Sequence, residues 1–265
     1  MKAVWVNDIH LEFLDERVIV RFFDELKSRN PDCILVGGDT GQAHTVCDYL
    51  MRMESTLQCP IYFVLGNHDF YHGSIADVRA SVSRLVSFSD RLRWLSISGI
   101  VKLTAKTCLI GHDGWGDGRY GDFNGSNVAL NDFLLIQELS DLPKKDLLAK
   151  LQRLGDEAGK YFNSLLPEAI DICDHIVVLT HVPPFLEAAC YNGQYCDNDW
   201  LPFFSCRAAG DALKDTMLRY AQKRMTVLCG HTHGGGTSQI SPNITSFTGP
   251  AQYGNPRIQR IFEWE

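Results

Sequence analysis

The sequence predicts an α/β fold organised around a largely parallel sheet. Short runs of valine, isoleucine and leucine recur along the chain without alternating polar residues, which is the pattern of strands buried on both faces. In the first third of the chain, these runs are separated by stretches whose apolar residues recur at the spacing of an amphipathic helix. Strand and helix in alternation predict right-handed βαβ units, and such units build parallel sheets.

The predicted strands share this apolar character and precede loops rich in polar residues. They are Ala3–Val6, Cys33–Val36, Ile61–Leu65, Thr107–Ile110, His175–Leu179 and Thr226–Cys229. Between the first two, Ile19, Phe22 and Leu26 form the apolar stripe of a first helix, and similar stripes run over residues 46–53 and 78–85. Each stripe is expected to pack on the sheet.

The middle of the chain follows a different pattern. Apolar and polar residues alternate from Trp94 to Ile110, which predicts an antiparallel meander. A glycine-rich loop over residues 111–125 then leads into a helical region expected from about Leu130 to Ile172.

Length and composition suit one globular domain. The chain has 265 residues, of which 45% are hydrophobic and 22% charged. We expect a single domain over residues 1–265, with a helical insertion at about 126–174 and two or three closing strands within 240–265. No apolar segment approaches the roughly 18 residues of a membrane span, and the first ten residues are typical of a strand rather than a signal peptide. The sequence therefore predicts no membrane partner, a cytoplasmic location and reduced thiols.

Net charge bears on nucleic-acid binding, and the cysteine pattern bears on disulfides and zinc sites. The formal net charge of -7 weighs mildly against a protein that binds long nucleic acid through its phosphates, so a nucleic-acid partner is not expected. The nine cysteines cannot all pair within the chain, because nine is odd. Four cysteines in buried segments are expected to act as small apolar side chains, namely Cys33, Cys108, Cys173 and Cys229. Three more lack the spacing of a zinc site, namely Cys190, Cys196 and Cys206.

Polar residues and glycines follow five of the predicted strands directly. The segments are Asn7-Asp8-Ile9-His10, Gly37-Gly38-Asp39-Thr40, Gly66-Asn67-His68-Asp69, Thr180-His181 and Gly230-His231-Thr232-His233. Because the carboxyl ends of parallel strands lie along one edge of a sheet, where ligands bind, these side chains are expected to converge.

The converging side chains suit a pair of metal ions. They offer carboxylate, amide and imidazole ligands without a thiolate, from Asp8, His10, Asp39, Asn67, His181, His231 and His233. Seven groups are more than one transition metal uses at four to six coordination, so we expect two divalent ions sharing a bridging carboxylate. Mn²⁺ is expected first, with Fe, Zn or Ni as alternatives. Ions about 3.5–4 Å apart can clamp the attacking and leaving oxygens of a phosphoryl group.

The ordered set of segments resembles the calcineurin-like metallophosphoesterase superfamily. That family's pattern is D-x-H, G-D, G-N-H-D/E, H and G-H-x-H, and all five blocks occur here in order between residues 8 and 233. The resemblance implies a four-layer α/β/β/α sandwich with two mixed sheets. It also implies a hydrolase of phosphoric esters, in which a hydroxide that bridges the metals attacks phosphorus in line.

The resemblance further implies a role for each matched residue. The first metal would be held by Asp8, His10 and His233, the second by Asn67, His181 and His231, with Asp39 as the bridge. His68 would protonate the leaving oxygen or stabilise the developing charge, and Asp69 would orient His68 through a hydrogen bond.

Departures from the family pattern bear on the substrate. After the second strand this chain has Gly38-Asp39-Thr40-Gly41-Gln42-Ala43, which lacks the G-D-x-V-D-R-G of protein phosphatases. Gln42 also replaces the last residue of the G-D-x-x-D found in many cyclic-nucleotide phosphodiesterases. Because the chain is acidic, we expect a small-molecule phosphomonoester or phosphodiester as substrate rather than a nucleic acid. The alternatives are a nuclease of the Mre11-like branch and a non-catalytic metal-binding scaffold, and the oligomeric state is open.

Two loops carry further polar or aromatic residues whose roles the sequence leaves open. His112 and Asp113 are expected to be turn or substrate-side residues rather than additional ligands, and Arg119 could grip a phosphate or be solvated. The aromatic stretch within residues 190–206 could form a wall of the pocket or pack beneath a long loop.

Overall fold

The structure is a computed structural model that describes residues 1–191 and 194–265. Its helices are α1 (Glu16–Ser28), α2 (Val46–Leu57), α3 (Ile75–Ser87), α4 (Leu95–Ser98), α5 (Asp132–Leu135), α6 (Lys144–Ile172), α7 (Leu201–Phe204) and α8 (Arg207–Met217). The strands of the first half are β1 (Lys2–Val6), β2 (Cys33–Val36), β3 (Ile61–Phe63), β4 (Leu92–Trp94), β5 (Val101–Lys102) and β6 (Thr107–His112). Those of the second half are β7 (His175–Thr180), β8 (Cys190–Tyr191), β9 (Gln194–Tyr195), β10 (Arg224–Cys229), β11 (Gly234–Ser241), β12 (Ile244–Pro250) and β13 (Arg260–Glu263).

Two mixed sheets form the centre of the molecule. The first has the order β13-β1-β2-β3-β4, in which β13 alone is antiparallel to its neighbour. The second has the order β11-β12-β10-β7-β6-β5, with a parallel centre and antiparallel edges at β11 and β5. A separate hairpin pairs β8 with β9. The predicted parallel arrangement is confirmed in both sheets.

Side-chain alternation in β1 shows how the layers stack. Ala3 and Trp5 point into the core between the two sheets, together with Leu228 of β10. Val4 and Val6 point the other way, into the core between the first sheet and the helices that cover it. A third core lies between the second sheet and helices α6 and α8. These three cores separate four layers, so the expected α/β/β/α sandwich is confirmed.

The middle of the chain differs from the sequence prediction in two places. The long helix begins at Lys144 rather than near Leu130, and the short helix α5 precedes it. The expected meander is reduced to the pair of β5 and β6, because residues 95–98 form helix α4 instead. The long helix starts only at Lys144 because Asp141 adopts a left-handed backbone conformation and Pro143 cannot continue a helix from the preceding residues. The apolar pattern of residues 95–98 is compatible with helix or strand, so packing decides between them there.

Two of the cysteines expected to be small apolar side chains are instead joined. Cys108 in β6 and Cys173, which follows α6, form a disulfide across a sequence separation of 65 residues. The disulfide ties the end of the long helix to the second sheet. Cys33 and Cys229 are buried and unpaired, as predicted.

Among the described residues, no helix combines the length and apolar character needed to cross a bilayer.

Candidate metal centre

The predicted ligands lie in tight turns at the carboxyl ends of strands from both sheets. Five of them adopt the left-handed backbone region that non-glycine residues seldom occupy. They are Asp8 (φ 49°), His10 (φ 42°), Asp39 (φ 52°), His231 (φ 67°) and His233 (φ 58°). Such conformations cost of order 1–3 kcal/mol each and cluster where the surrounding structure holds functional groups in place. The turns therefore point these side chains toward one another, whereas extended strands would keep them apart.

Four predicted ligands form a first cluster. Asp8, His10, Asp39 and His233 each present one ligand atom, and these four atoms all lie within 4.8 Å of one another. The Nε2 atoms of His10 and His233 are 3.2 Å apart, and His233 Nε2 lies 3.5 Å from Asp8 Oδ1. One cation placed among these atoms could contact all of them.

The other predicted ligands form a second cluster around the amide of Asn67. Asn67 Oδ1 lies 3.0 Å from His181 Nε2 and 2.9 Å from His231 Nδ1. Asp39 connects the two clusters, because its Oδ2 lies 3.6 Å from His10 Nε2 and its Oδ1 lies 3.5 Å from His181 Nε2. The two oxygens of one carboxylate thus face two different sets of nitrogen and oxygen ligands.

In three of the predicted histidine ligands, the ring nitrogen that points away from the clusters faces a hydrogen-bond acceptor, and this arrangement fits a metal site. His181 Nδ1 donates to the carbonyl oxygen of Gly37 at 2.9 Å, and His231 Nε2 donates to that of Phe203 at 3.2 Å. His10 Nδ1 lies 3.4 Å from Glu12 Oε1. An imidazole whose far nitrogen carries the proton presents a lone pair on the other nitrogen, and here that nitrogen faces the cluster. Such inward lone pairs and carboxylates need a cation between them.

Burial and charge favour the metal-binding protonation states of His231, Asp8 and Asp39. Burial lowers the pKa of His231 to about 3, aided by the nearby His181, so this imidazole stays neutral. Burial opposes ionisation of Asp8, but a hydrogen bond with His233 and the neighbouring histidines outweigh it and lower the pKa of Asp8. The pKa of Asp39 is lowered in the same way, with His181 contributing most after burial. At His181 and His233, burial opposes protonation, but the neighbouring Asp8 and Asp39 outweigh it and raise the pKa of both imidazoles.

Glycines at the site allow backbone and side chains to approach closely. A Cβ atom on Gly66 would overlap Asp39 Oδ1 and lie 2.6 Å from the backbone nitrogen of Asp39. A Cβ on Gly38, where φ is 92°, would lie 2.7 Å from His181 Nδ1. The G-D and G-N-H blocks therefore require glycine for steric reasons.

Asp132 holds the Asn67 side chain in one orientation, a contact that sequence reasoning missed. Asn67 Nδ2 donates to Asp132 Oδ1 at 2.8 Å, and the Tyr71 hydroxyl donates to the same oxygen at 2.7 Å. Burial raises the pKa of Asp132, and these two hydrogen bonds oppose that rise. With its nitrogen fixed by a carboxylate, Asn67 must present its oxygen to the two histidines. Tyr71 directly follows the G-N-H-D block, but no local signal marks Asp132.

His68 lies beside both clusters, and its carboxylate neighbour is not the one expected. Asp69 makes no hydrogen bond to His68: its oxygens accept from the backbone N–H groups of Thr40, Gly41 and Gly66 at 2.8–2.9 Å. Successive residues of a tight turn point in different directions, so Asp69 faces the backbone of the turn while His68 faces the clusters. Instead, Glu12 Oε1 lies 3.6 Å from His68 Nδ1.

Charge around His68 is dominated by carboxylates. Burial opposes its protonation, but Asp39 and Glu12 outweigh burial and raise the pKa of His68 to about 9. On the other ring nitrogen, the Tyr253 hydroxyl lies 3.4 Å from His68 Nε2. Tyr253 follows β12, which runs parallel to β10, so a polar turn after that strand reaches the same edge. The strand-end rule could have found it.

The two clusters lie in a cleft of about 600 Å³. Its lining includes the ligands Asp39, Asn67, His231 and His233, together with His68, Tyr71 and Tyr253. Residues of the 190–206 loop line it as well, so that loop forms a wall of the pocket. The same loop also packs inward, since Leu201 and Phe203 are buried.

Three other residues whose roles the sequence left open lie outside the clusters, namely His112, Asp113 and Arg119. Asp113 Oδ1 accepts hydrogen bonds from the backbone of Leu65 and the side chains of Trp94 and Ser96 at 2.8–2.9 Å. Burial lowers the pKa of His112. Arg119 neither faces the cleft nor is simply solvated, because it pairs with Asp117 at 2.8 Å and Asp156 at 2.6 Å.

A comparison with known families matches residues 1–235 to the calcineurin-like phosphoesterase family. The chain belongs to this family. The family, together with the aspartate and histidine clusters, supports a metal-dependent phosphoester hydrolase with a site for two divalent metal ions.

Other proteins are similar to this chain in a short stretch of sequence or in fold. Over 53 residues it is 38% identical to a probable cyclic nucleotide phosphodiesterase of Pseudoalteromonas, a match that spans 18% of this chain and 20% of that relative. Its fold is similar to a dimetal phosphatase from Danio rerio, with a TM-score of 0.62 and 13% identity over 97% of this chain and 89% of the other. It is also similar to phosphopantetheinyl hydrolase from Mycobacterium tuberculosis, with a TM-score of 0.65 and 14% identity over 95% and 89% of the two chains.

Proposed function

We propose that this phosphoesterase hydrolyses small phosphoric esters with two divalent cations, Mn²⁺ first among them. The observation that carries the proposal is the pair of ligand clusters that share the Asp39 carboxylate at the cleft. When bound, two such cations neutralise phosphoryl oxygens and lower the pKa of water. The mixed imidazole, amide and carboxylate ligands without a thiolate suit Mn²⁺, with Fe, Zn or Ni as alternatives.

The ligand assignment follows the two clusters. Asp8, His10 and His233 would hold the first ion, Asn67, His181 and His231 the second, and Asp39 both. Asp132 would serve by keeping the oxygen of Asn67 turned toward the second ion.

His68 is the group that would act on the leaving oxygen. Its ring lines the cleft beside Asp39, whose Oδ1 accepts from the His68 backbone N–H at 2.9 Å. Glu12, which faces Nδ1, would favour the imidazolium form of His68, in which Nε2 also carries a proton, on the side of the ring near the Tyr253 hydroxyl. Asp69 would contribute by fixing the turn that carries His68, through its three backbone hydrogen bonds.

A small ester is favoured over nucleic acid by the charge of the cleft. Among the described residues that line it, none is lysine or arginine, whereas Asp132 and Asp197 are present. Long nucleic acids are held mainly by cationic contacts to their phosphates. This observation and the net charge of -7 support a small-molecule substrate over the nuclease alternative.

The cytoplasmic location remains a prediction of the sequence. The Cys108–Cys173 disulfide weighs against a reducing compartment, where disulfides are rare.

The proposal is tested by hydrolysis of p-nitrophenyl phosphate and of bis-p-nitrophenyl phosphate with added Mn²⁺. We expect Asp39→Asn to abolish turnover and His68→Ala to lower kcat by about 10²–10⁴-fold, the usual contribution of a general acid. His44→Ala is the matched control, because His44 is an exposed histidine away from the clusters. Turnover of the bis ester alone would identify a diesterase.

Two results would contradict the proposal. If wild-type protein loaded with Mn²⁺, Fe, Zn or Ni hydrolyses neither ester, the non-catalytic scaffold is favoured. If His68→Ala retains full activity, His68 is not the acid.

A further inference from the structure

We propose that the substrate's leaving group carries a planar aromatic ring and no second phosphate. The inference rests on the proposed function and adds the substrate class. It concerns the aromatic wall, which we define as Tyr191, Tyr195, Trp200 and Phe204 of the 190–206 loop. All four side chains line the cleft that holds the metal-ligand clusters.

The aromatic wall exposes apolar surface that the fold does not bury. Tyr191, Tyr195 and Trp200 are 54%, 66% and 41% exposed, respectively. Single exposed aromatic side chains are ordinary, but several gathered at one cleft mark a binding surface. Their neighbours Leu201 and Phe203 are buried, so the loop separates residues that support the fold from residues that face the cleft.

The loop that carries the wall is held from behind by backbone hydrogen bonds. The N–H groups of Asp117, Gly118 and Asp122 donate to the carbonyl oxygens of Ser205, Pro202 and Asn198 at 2.8–3.1 Å. Within the loop, Asp197 Oδ1 accepts from the backbone of Trp200 at 3.1 Å. The glycine-rich loop over residues 111–125 thus supports the wall. A supported wall loses little conformational freedom when a ligand stacks on it.

The wall is continuous with the metal-ligand clusters. The Trp200 and Phe204 ring centroids are 5.1 Å apart, and the Phe204 ring meets the edge of the His231 ring at 5.0 Å. A phosphoryl group at the clusters would therefore place its alcohol portion along these rings. The cleft volume of about 600 Å³ is in the range of sites for small organic ligands.

Charge in the cleft argues against a second phosphate. Apart from the metal ligands and His68, the charged groups of the described lining are the carboxylates of Asp132 and Asp197, with no lysine or arginine. A distant phosphate would lose solvation without gaining a cation, which is unfavourable. Aromatic stacking, by contrast, requires no charge on the ligand.

The test compares matched esters of primary alcohols. We would measure kcat/KM for 2-phenylethyl phosphate and 2-cyclohexylethyl phosphate, which differ only in the aromaticity of the ring, each as the monoester and as its methyl diester. We expect wild type to prefer the phenyl ester by about three- to tenfold, the range that aromatic pairs contribute beyond area burial. We also expect 1,6-hexanediol bisphosphate to be at least about fivefold poorer than hexyl phosphate.

Two substitutions test whether the aromatic wall produces the preference for the phenyl ester. Trp200→Leu should reduce the phenyl-to-cyclohexyl ratio of kcat/KM to near one. Tyr195→Leu should also reduce this ratio, and because Tyr195 is more exposed, its substitution should not lower the stability of the fold. Trp264→Leu is the matched control, because Trp264 stacks on Phe262 in β13 and does not line the cleft. This control should retain the wild-type ratio.

Four outcomes would overturn the inference. Equal turnover of the two ring esters by wild type removes the aromatic preference, and a preference that survives both Trp200→Leu and Tyr195→Leu assigns it elsewhere. Equal turnover of the bisphosphate removes the charge requirement. In these three cases the esters are still hydrolysed, so the proposed function stands. Failure to hydrolyse any ester overturns both.

Discussion

Removing the Asp132 carboxylate should weaken the binding of one metal ion and leave the other unchanged. Asp132 is 3% exposed and fixes the Asn67 amide through a 2.8 Å hydrogen bond. Without this acceptor, the Asn67 amide can turn its nitrogen toward His181 and His231, and an amide nitrogen does not bind a cation. The first cluster has no contact with Asp132, so its affinity should persist.

The size of the effect follows from the lost interaction. A hydrogen bond to a charged group contributes about 1.5–3 kcal/mol, and each 1.4 kcal/mol corresponds to a factor of ten in affinity. We therefore expect Asp132→Ala to weaken the second ion by about 10–100-fold, in line with the usual effect of residues that orient metal ligands. Asp132→Asn should weaken it less, because the amide oxygen can still accept from Asn67.

The assay is a calorimetric titration of Mn²⁺ into chelator-treated protein, analysed for two sites. Asp117→Asn is the matched control, since Asp117 is also a buried carboxylate but pairs with Arg119 away from the clusters. It should lower the unfolding temperature and keep both affinities. Two sites of wild-type affinity in Asp132→Ala would refute the reasoning, and so would equal weakening in Asp132→Ala and Asp117→Asn.

Three further predictions concern the backbone, the disulfide and pH. Gly66→Ala should abolish binding of both Mn²⁺ ions in the same titration, because the new Cβ displaces the shared Asp39 carboxylate; retained binding would contradict this. Replacing Cys108 and Cys173 by alanine should lower the free energy of unfolding by about 4 kcal/mol, from the closure entropy of a 65-residue loop, and an unchanged urea midpoint would disprove it. Burial, together with the nearby charge of Arg224, lowers the pKa of His175 to about 4 in the folded protein. Between pH 6.5 and 4 the imidazole is therefore protonated in the unfolded chain but neutral in the folded one. The free energy of unfolding should therefore fall as pH drops through this window, and His175→Gln should flatten that fall in urea titrations; an unchanged pH dependence would refute the assignment.

Residues close in sequence account for the part of the site that could be predicted. Asp8 with His10, and His231 with His233, each come from one short block after a buried strand. The strand-end rule brings together the blocks that follow strands of one sheet, because parallel strands share one edge, whereas the packing of the two sheets brings the His181 and His231 blocks to those of Asp8, Asp39 and Asn67. The structure places all seven predicted ligands where the strand ends of the two sheets meet, in two clusters joined by Asp39.

Residues that act through contacts between distant segments could not be predicted. Asp132 lies 65 residues from Asn67, and its helix was expected to be part of one long helical insertion. The direction of a side chain within a turn is equally hidden: Asp69 is adjacent to His68 but faces backbone N–H groups, whereas Glu12 faces the imidazole. Turn geometry, which tertiary packing fixes, decides such directions.

By itself the sequence determined the strand–helix units and the ligand types, because these depend on local periodicity and on the chemistry of short blocks. The layer order and the reaction class followed from the resemblance of the five ordered blocks to a known family. Only the tertiary structure decided the pairing of Cys108 with Cys173, the orientation of Asn67 by Asp132 and the aromatic wall of the cleft. Each of these joins segments that are remote in sequence, and their meeting depends on how the layers and loops pack.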